Sequence, residues 1–559
     1  MFIKKNNDLK TIKDVVLNNV GLTEDEFFNP NGNVTIKDLD IVVKMIKDSI
    51  SKNEHITVVG DYDADGICAS AILKLTLNHL NADFSIRLPK RFSEGYGLSE
   101  KIVDEIESGL LITVDNGIAT IDAIKKAKDK GLKVIVTDHH LPIDTGELPC
   151  ADVIVDPNAI KDSSSFTDYC GAGIAYKLAC ELVDDEILKK KLLAFAAIAT
   201  IGDVVPLVGD NRNIVIEGLK ILNSENGILP VGLYALLDVC NLIYTTIDET
   251  TIGFKLAPMI NAPGRLEDNG AEFSLNVISY DKDFLIAKDN AMQLVRFNEK
   301  RKVLKEENLK LLHKNIEENN LENEKPLVIY QEGLHEGLVG LLAGALTEEY
   351  RTPCFVFTDS EDAGFIKGSA RGYGDCHIKN ALDMFPDVIE KYGGHKSAAG
   401  ITLAKDNLDL FIQKIKEYLV IEEISDDLFY DLEIHAGKVL NSIEELLKFA
   451  PFGEGNPKPV FLIKDYELVP RTGKFFDLMG ENKSYLKLFS NCNAISFNCA
   501  EKFETEKFPK NLNLLGTFGY NYFNGREYPQ ISFVDFEKIN KEKNITNLQH
   551  LLNKRAGKE

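Results

Sequence analysis

Three aspartates alternate within five residues near the start of the chain. The stretch VVGDYDADGICASAILK contains Asp61, Asp63 and Asp65. Carboxylates this close repel one another, so a bound cation is the expected reason for the cluster. An EF-hand calcium loop is excluded, because its twelfth position needs a bidentate glutamate and here holds Ile72. The preceding HITVVG is typical of a strand, so we predict a metal site at a strand end, with a helix beginning at ICASAILK.

Further polar residues follow other predicted strands. LLITV is followed by Asp115, LKVIVT by Asp138, His139 and His140, and the apolar helix AAIATIG by Asp203. In a parallel α/β sheet, ligands lie beyond the carboxyl ends of the strands, so we expect these side chains to meet there. Burying so many carboxylates together is unfavourable unless cations coordinate them.

The ligand types narrow the choice of metal. Carboxylate oxygens with imidazole and no thiolate favour Mn²⁺ or Mg²⁺ over structural zinc. The number of acids indicates two ions, which in phosphoryl-transfer sites lie about 3.5–4 Å apart and clamp the attacking and leaving oxygens. The residues alone therefore predict a metal-dependent phosphoesterase, with a non-catalytic metal site as the alternative.

The surrounding pattern indicates how these residues are positioned. Between residues 55 and 205, short apolar strands alternate with amphipathic helices, which predicts a parallel sheet with crossover helices. Residues 282–320 form a long charged helical pattern without glycine or proline. PLVIYQ opens a second α/β unit that runs to about residue 420. Short aromatic-rich strands between residues 452 and 540 then fit a small β-barrel.

We therefore predict an α/β protein of several domains. The expected parts are an N-terminal helical segment (1–50), a metal-binding catalytic domain (51–281), a connecting helix (282–325), a smaller α/β substrate domain (326–420), a linker helix with a β-barrel (421–545) and a tail (546–559).

Charge and cysteine content limit the functional classes. The 559-residue chain has a net charge of −23, which argues against a protein that coats nucleic acid. Residues 452–543 carry 13 Lys and Arg against 12 Asp and Glu, and residues 296–314 carry seven basic and three acidic side chains, so a polyanion could approach either region. Nine cysteines without CxxC spacing indicate reduced thiols in a cytoplasmic protein. No apolar run reaches 18 residues, so we expect no membrane association.

Four short motifs in order carry a family resemblance. GDYDADG, VDNG, TDHH and IGDVVPL resemble the motifs of the DHH phosphoesterase superfamily. RFSEGYG, GAGIAYKLA, LAPMINAPGRL, HEGLVGLLAGAL, KGSARGY, GGHKSAAG and PFGEGNPKPVF are similar to its bacterial RecJ-type branch of single-stranded-DNA exonucleases. The resemblance covers roughly residues 50–540. It implies a 5′→3′ exonuclease of DNA repair and recombination that releases 5′-mononucleotides with two Mn²⁺ or Mg²⁺ ions.

The resemblance also implies roles for the strand-end residues. Asp115 would bridge the two ions, Asp138 would orient His139, and His140 would touch the scissile phosphate unless it is a packing residue. The implied metal ligands are Asp61, Asp63, Asp65, Asp115, His139 and Asp203.

The later motifs imply substrate contacts. Arg91, Arg265, Ser369 and Arg371 match a pocket for the terminal 5′-phosphate, and arginine forks suit phosphate. His395, in Gly-Gly-His, would bond a phosphate, unless the segment is only a helix-capping turn.

The barrel resembles an OB-fold, which binds single strands with aromatic side chains and a basic groove. The candidate stacking residues, which the pattern also allows as core residues, are Phe518, Tyr520, Tyr522 and Phe523, near Arg526.

Two alternatives remain open at this stage. A DHH phosphodiesterase for nanoRNA or cyclic dinucleotides would share the metal site, but it would not need residues 452–540 and usually carries a histidine at the position of Val59. A non-catalytic binding protein is the other. For the leading hypothesis we expect a bacterial monomer that binds single-stranded DNA, with a single-stranded-DNA-binding protein and a RecQ-like helicase as partners.

Overall fold

The computed structural model describes residues 2–29, 34–143, 146–159, 162–224, 227–394, 396–419, 427–480, 483–523 and 526–539. These residues form a parallel-sheet domain, a long connecting helix, a second α/β domain and a C-terminal β-domain, so the predicted fold class is confirmed. Within them, no helix is long and apolar enough to cross a membrane. His395 and the predicted tail, 546–559, lie outside the described residues.

The N-terminal segment divides between two cores. Its elements are β1 (Phe2–Lys4), α1 (Ile12–Val20), α2 (Glu24–Phe28) and α3 (Leu39–Ser51). Capping boxes at Thr11 and Thr23 start α1 and α2. Phe27 of α2 packs in the core of the C-terminal β-domain, whereas Ile46 of α3 packs in the core of the parallel-sheet domain. Residues 1–50 are therefore not one unit, because their apolar faces cover different domains.

The first domain is built on a five-stranded parallel sheet. Its strands are β2 (Ile56–Val59), β3 (Phe84–Arg87), β4 (Leu110–Val114), β5 (Lys133–Thr137) and β6 (Val153–Val155), in the order β3-β2-β4-β5-β6. Strands β2 and β4 are buried throughout, as apolar runs covered on both faces require. The chain order reverses between β2 and β4, and ligands of such sheets bind at this switch point.

The first domain also contains ten helices within the described residues, some packed on the sheet and others on neighbouring helices. They are α4 (Ala64–His79), α5 (Glu100–Glu105), α6 (Ile121–Asp129), α7 (Gly171–Leu182), α8 (Glu186–Gly202), α9 (Gly209–Leu222), α10 (Val231–Val239), α11 (Glu249–Thr251), α12 (Ala257–Leu266) and α13 (Gly270–Ile278). A 3₁₀ turn (Leu242–Tyr244) precedes α11, and a π-helical turn (Ile252–Leu256) precedes α12.

Helix α4 begins earlier than the pattern predicted. The Asp63 carboxylate accepts hydrogen bonds from the amides of Asp65 at 3.0 Å and Gly66 at 3.2 Å, so it caps a helix that starts at Ala64. Asp65 therefore lies inside the first helical turn and not, as predicted, before the helix.

The connecting helix α14 (Phe284–Glu318) joins two domains. Leu294 packs in the core of the first domain and Leu312 in that of the second. The second domain contains β7 (Leu327–Tyr330), α15 (Val339–Tyr350), β8 (Cys354–Asp359), β9 (Phe365–Arg371), α16 (Ile378–Asp383), β10 (Lys391–Gly394), β11 (Ala398–Ala404) and α17 (Leu408–Tyr418), with 3₁₀ turns at Glu336–Leu338 and Lys405–Asn407. Its strand order is β10-β11-β9-β8-β7.

The C-terminal β-domain contains a seven-stranded sheet. Its elements are β12 (Leu428–Tyr430), β13 (Leu432–His435), α18 (Val439–Leu447), β14 (Phe461–Glu467), β15 (Phe476–Met479), β16 (Tyr485–Leu488), β17 (Asn493–Ser496), α19 (Ala500–Thr505), β18 (Asn511–Phe523) and β19 (Arg526–Lys538), with a 3₁₀ turn at Ala436–Lys438. The sheet order is β13-β14-β18-β19-β17-β16-β15, while β12 pairs with β1. Strands β18 and β19 have 13 residues each, so the prediction of short strands only was wrong.

One candidate stacking residue belongs to the core of this domain. Phe518 is buried and stacks on Phe461 with ring centroids 4.4 Å apart, so its ring is not available to a nucleic-acid base. Tyr520 donates its hydroxyl hydrogen bond to Glu444 at 2.7 Å. Tyr522 is partly exposed, and the side chain of Phe523 lies outside the described part of the structure.

Candidate active site

The polar residues that follow β2, β4, β5 and α8 converge at one edge of the parallel sheet. In each of three groups, the possible ligand atoms lie within 4.8 Å of one another. The groups are Asp61 with Asp63 and Asp115, Asp115 with His139 and His140, and Asp65 with His139 and Asp203. The structure thus brings all six predicted ligands together, with Asp115 and His139 each shared by two groups.

Several ligand atoms of this cluster face one another without hydrogen bonds. His139 Nε2 lies 3.1 Å from Asp115 Oδ1 and 3.7 Å from both Asp65 Oδ2 and Asp203 Oδ2. Nevertheless His139 Nε2, Asp115 Oδ1 and Asp61 Oδ1 are buried and have no hydrogen-bond partner among the described residues. Buried polar atoms are normally satisfied, so these lone pairs are free to coordinate a cation. The donor set of carboxylates and imidazole fits Mn²⁺ or Mg²⁺.

The start of helix α7 lies directly against Asp65 and Asp115. Asp65 accepts hydrogen bonds from the amides of Gly171 at 2.6 Å and Ala172 at 2.7 Å, at the positive end of the helix. A Cβ added at Gly171 would lie 2.4 Å from Asp115 Cβ, so only glycine permits this approach. The sequence motif GAGIAYKLA contained this signal, but it did not show which carboxylates the helix would meet.

Burial and mutual repulsion shift the pKa values of the clustered aspartates. Burial raises the pKa of Asp61, Asp115 and Asp203 well above the ordinary aspartate value, and the neighbouring carboxylates raise each pKa further. The ionised cluster is therefore unstable without positive charge. Divalent cations would remove this repulsion.

The sequence-based role of Asp138 was wrong in one respect. Its Oδ1 lies 2.7 Å from His140 Nδ1, so Asp138 orients the ring of His140, and it contacts His139 only through the backbone amide at 2.8 Å. Burial lowers the pKa of His140, but the hydrogen bond to Asp138 and the Asp138 charge outweigh it and raise the pKa to about 9. The Asp138 carboxylate therefore favours the protonated, positively charged form of the His140 ring.

Tyr96 is a site residue that the sequence reasoning missed. Its hydroxyl donates to the Asp115 carbonyl at 3.0 Å and lies 3.2 Å from the ring nitrogens of His140. The RFSEGYG motif contained this tyrosine, but only the fold shows that the loop returns to the sheet edge.

An arginine-lined cavity of about 920 Å³ lies beside the cluster, between the first and second domains. Its walls include all four residues predicted to hold a terminal phosphate, Arg91, Arg265, Ser369 and Arg371. Arg371 Nη1 donates to Ser369 Oγ at 2.9 Å. A Cβ added at Gly340 would lie 2.9 Å from Arg371 Nη2, so α15 approaches the guanidinium closely.

Carboxylates also line the cavity, namely Glu336, Asp362 and Glu390, but none of them is paired with its arginines. No carboxylate of the described residues forms a salt bridge with Arg91, Arg265 or Arg371. Burial lowers the pKa of Arg265 and of Arg371, and the nearby Arg91 lowers both further. Positive charges gathered this way favour a bound anion, and guanidinium forks match phosphate oxygens.

Tyr62 connects the cavity to the carboxylate cluster. It lies between Asp61 and Asp63 in sequence and lines the cavity, and the Arg91 guanidinium stacks 4.5 Å from its ring centroid. Asp268 holds the same loop by accepting hydrogen bonds from the amides of Phe92 at 2.9 Å and Ser93 at 3.3 Å. Neither the stacking of Arg91 on Tyr62 nor the hydrogen bonds to Asp268 were predicted from the sequence.

Known families match three parts of the chain. Residues 55–200 match the N-terminal domain of the DHH family, residues 323–420 match the DHHA1 domain, and residues 430–535 match the RecJ OB domain.

Related proteins and solved structures agree with these domain matches. The chain is 32% identical over 451 residues to the single-stranded-DNA-specific exonuclease RecJ of Escherichia coli, covering 75% of this chain and 76% of the relative. It is 31% identical to the Bacillus subtilis RecJ, covering 91% of this chain but 64% of that relative. The crystal structure of Thermus thermophilus RecJ in complex with Mn²⁺ superposes with a TM-score of 0.76 at 26% identity, covering 95% of this chain and 76% of that one. The chain therefore belongs to the RecJ family of single-stranded-DNA-specific exonucleases.

Proposed function

We propose that this protein is a single-stranded-DNA-specific 5′→3′ exonuclease that releases 5′-mononucleotides. The observation that carries the proposal is the pairing of a buried carboxylate–imidazole cluster with an arginine-lined cavity that shares Tyr62 as a wall. The cluster suits cations and the cavity suits a phosphate. Together they fit a strand whose 5′-terminal phosphate enters the cavity while the next phosphodiester meets the cluster.

Two Mn²⁺ or Mg²⁺ ions would be held by Asp61, Asp63, Asp65, Asp115, His139 and Asp203. When bound, such ions activate the attacking water and stabilise charge on the leaving oxygen. Solved RecJ structures contain Mn²⁺ or Mg²⁺, which supports this assignment.

His140 is proposed to bind the scissile phosphate. The Asp138 carboxylate lies 2.7 Å from His140 Nδ1, which fixes the ring and favours its protonated form. A fixed imidazolium stabilises the negative charge that develops on the phosphate oxygens in the transition state. The buried Asp138 carboxylate balances the positive charge of the ring.

Arg91, Arg265, Ser369 and Arg371 are proposed to bind the terminal 5′-phosphate. A pocket for a terminal group accounts for cleavage from the strand end, because an internal phosphodiester carries a further nucleotide on the 5′ side. The cavity lies between two domains, which favours a single strand over a duplex. His395, outside the described residues, stays a prediction as a further phosphate contact.

The C-terminal β-domain is proposed to hold the strand downstream of the cleavage site, as its match to the RecJ OB domain supports. A nanoRNA or cyclic dinucleotide phosphodiesterase would not need this domain.

Roles in repair and recombination, and association with a single-stranded-DNA-binding protein and a RecQ-like helicase, are proposed from family membership. The monomeric state stays a prediction. The nine cysteines are free thiols, which supports the proposed cytoplasmic location.

The test compares substrates under one condition. The full chain in Mn²⁺ receives a 5′-phosphorylated single strand, the matching duplex, an RNA strand, and cyclic di-AMP. The proposal requires progressive shortening of the single strand from its 5′ end and much slower loss of the duplex. Hydrolysis confined to the cyclic dinucleotide or to very short RNA would instead establish a small-substrate phosphodiesterase.

A further inference from the structure

Asp203 lies beside a short loop that the C-terminal β-domain contacts. Asp203 caps the end of α8, and the next residue, Val204, has a φ of 61°. This left-handed conformation is strained for a β-branched residue and persists only where neighbouring contacts hold the backbone. Two residues further along the same loop, Pro206 and Leu207 contact residues 450–456 (APFGEGN) between α18 and β14, here named the clamp loop.

The clamp loop meets the Asp203 loop backbone to backbone. The Leu207 amide donates to the Glu454 carbonyl at 2.8 Å. Gly455 has a φ of +68°, and a Cβ added there would lie 2.9 Å from Pro206 Cβ. A Cβ added at Gly453 would lie 2.8 Å from the tip of the Leu207 side chain. There is no room for a side chain at this contact, so a displacement of one loop displaces the other.

The clamp loop is itself held in one shape. Asn456 is fully buried, and its side-chain amide donates to the carbonyls of Phe449 at 2.9 Å and Pro451 at 2.8 Å. Gly453 and Asn456 also form a reciprocal pair of backbone hydrogen bonds at 3.0 and 3.2 Å. These bonds close the clamp loop into a compact turn, so that it moves as one unit.

Two residues of the first domain fasten the clamp loop independently of the Asp203 loop. Arg212 of α9 is buried and donates to the carbonyls of Ala450 at 2.8 Å and Pro451 at 3.3 Å. Glu249 accepts a hydrogen bond from the Phe452 amide at 3.2 Å. The clamp loop is thus fixed at three points on the catalytic domain, and only one of them leads to Asp203.

We propose that the clamp loop is a positioning element for the metal subsite of Asp65, His139 and Asp203. The subsite of Asp61, Asp63 and Asp115 is formed by strand ends of the first domain alone, whereas Asp203 depends on a loop held by another domain. Metal sites require ligand placement within about 0.5 Å, so a displaced loop weakens this one subsite. The inference rests on the proposed function, because it takes Asp203 to be a metal ligand.

The test compares two glycine-to-alanine substitutions in the same domain. Gly455→Ala introduces a Cβ that must push against Pro206. Gly473→Ala is the matched control, because Gly473 has a φ of +83° and a Cβ added there would have no neighbour within 4 Å. Both variants carry the backbone strain of a positive φ, so their difference isolates the push against the Asp203 loop.

Mn²⁺ binding to the full chain without DNA is measured by electron paramagnetic resonance titration. We expect Gly455→Ala to retain one Mn²⁺ per chain with wild-type affinity and to bind the second at least about tenfold more weakly. Gly473→Ala should bind both ions as the wild type does. The kcat of Gly455→Ala should fall at low Mn²⁺ and recover at high Mn²⁺, with an unchanged KM for the strand. Wild-type affinity for both ions in Gly455→Ala, or equal losses in the two variants, would overturn the proposal.

Asp203→Asn separates this inference from the proposed function. If Asp203→Asn loses the second Mn²⁺ while Gly455→Ala keeps it, the clamp proposal fails and the metal assignment stands. If Asp203→Asn binds both ions normally, Asp203 is not a ligand and the assignment itself fails. Should Gly455→Ala not fold, Asn456→Ala tests the same element, because it removes the side-chain amide that donates to the Phe449 and Pro451 carbonyls and holds the clamp loop. Wild-type binding of the second ion in that variant would count against the clamp.

Discussion

The proposed active site has two halves of opposite charge, which are the carboxylate cluster (the metal half) and the arginine-lined cavity (the arginine half). On one side, buried carboxylates repel one another and their pKa values rise. On the other side, three arginines gather without a salt bridge to any carboxylate that the structure describes, and the pKa values of Arg265 and Arg371 fall. Each half is electrostatically unfavourable alone, and each becomes favourable with a ligand of opposite charge. In each half, the sign of the charge that lacks a partner among the described residues indicates the sign of the ligand that binds there.

The largest expected effect comes from removing the carboxylate that two ligand groups share. Asp115→Asn should lower kcat by on the order of 10³-fold, because both proposed ions lose a ligand. The same change should raise the free energy of unfolding of the metal-free protein by about 1 kcal/mol, since it removes one repelling charge. Activity and thermal unfolding in EDTA measure the two effects. A variant that is inactive and also less stable without metal would contradict the view that the cluster is strained.

A substitution in the arginine-lined cavity should weaken substrate binding and leave metal binding unchanged. Arg371→Gln should raise KM for a 5′-phosphorylated strand by about 10–100-fold, the worth of a charge-assisted hydrogen bond, and erase the preference over a 5′-hydroxyl strand. Mn²⁺ binding should not change. Arg351→Gln, an exposed arginine at the far end of α15, is the control. Loss of Mn²⁺ affinity in Arg371→Gln would show that the halves are not separate.

The two halves should also respond to separate ligands. Mn²⁺ at 100 times its Kd should stabilise the protein by about 2.7 kcal/mol for each ion. A 5′-mononucleotide should stabilise it through the arginine cavity without Mn²⁺. Thermal unfolding with each ligand alone and with both measures the gains. Stabilisation by the nucleotide that survives unchanged in Arg265→Gln would place its phosphate elsewhere.

The smallest effect concerns the support of Arg91. Asp268→Ala removes the acceptor of the Phe92 and Ser93 amides, and KM for the 5′-phosphorylated strand should rise by roughly fivefold, about 1 kcal/mol. Burial raises the pKa of Asp268, but the hydrogen bonds from the Phe92 amide and from the hydroxyl and amide of Ser93 outweigh it and lower the pKa. The stabilisation that the ionised Asp268 carboxylate gives to the folded protein is therefore complete above the ordinary aspartate pKa. It is lost as the pH falls through the lowered pKa of Asp268 in the folded protein. Glu267→Ala, its exposed neighbour, should change neither KM nor the acid limb of stability.

The metal half could be predicted from the sequence because its ligands follow predicted strands. The parallel order of β2, β4 and β5 places Asp61, Asp115 and His139 at one edge once the strands are recognised. The partner of Asp138 could not be predicted, because ring orientation depends on side-chain torsions. The sequence alone did not show that His140 and not His139 takes that hydrogen bond.

The arginine half could be predicted only through the family resemblance. Arg91, Arg265 and Arg371 come from segments far apart in the chain and from two domains, and no local pattern distinguishes them from surface arginines. The aromatic residues of β18 show a similar limit. Phe518 is in phase with the buried Leu512 and Leu514 along β18 and stacks on Phe461, but composition alone did not separate it from the more exposed Tyr520 and Tyr522.

The most direct test of the account is the identity of the first product. A single strand labelled at its 5′-phosphate is mixed with the full chain, and the reaction is started with Mn²⁺ and stopped within the first turnovers. We expect all released label to be a 5′-mononucleotide and the strand to lose nucleotides only from that end. Label released as an oligonucleotide, or shortening from the 3′ end, would contradict this expectation, because neither outcome is compatible with a terminal phosphate held beside the metal cluster.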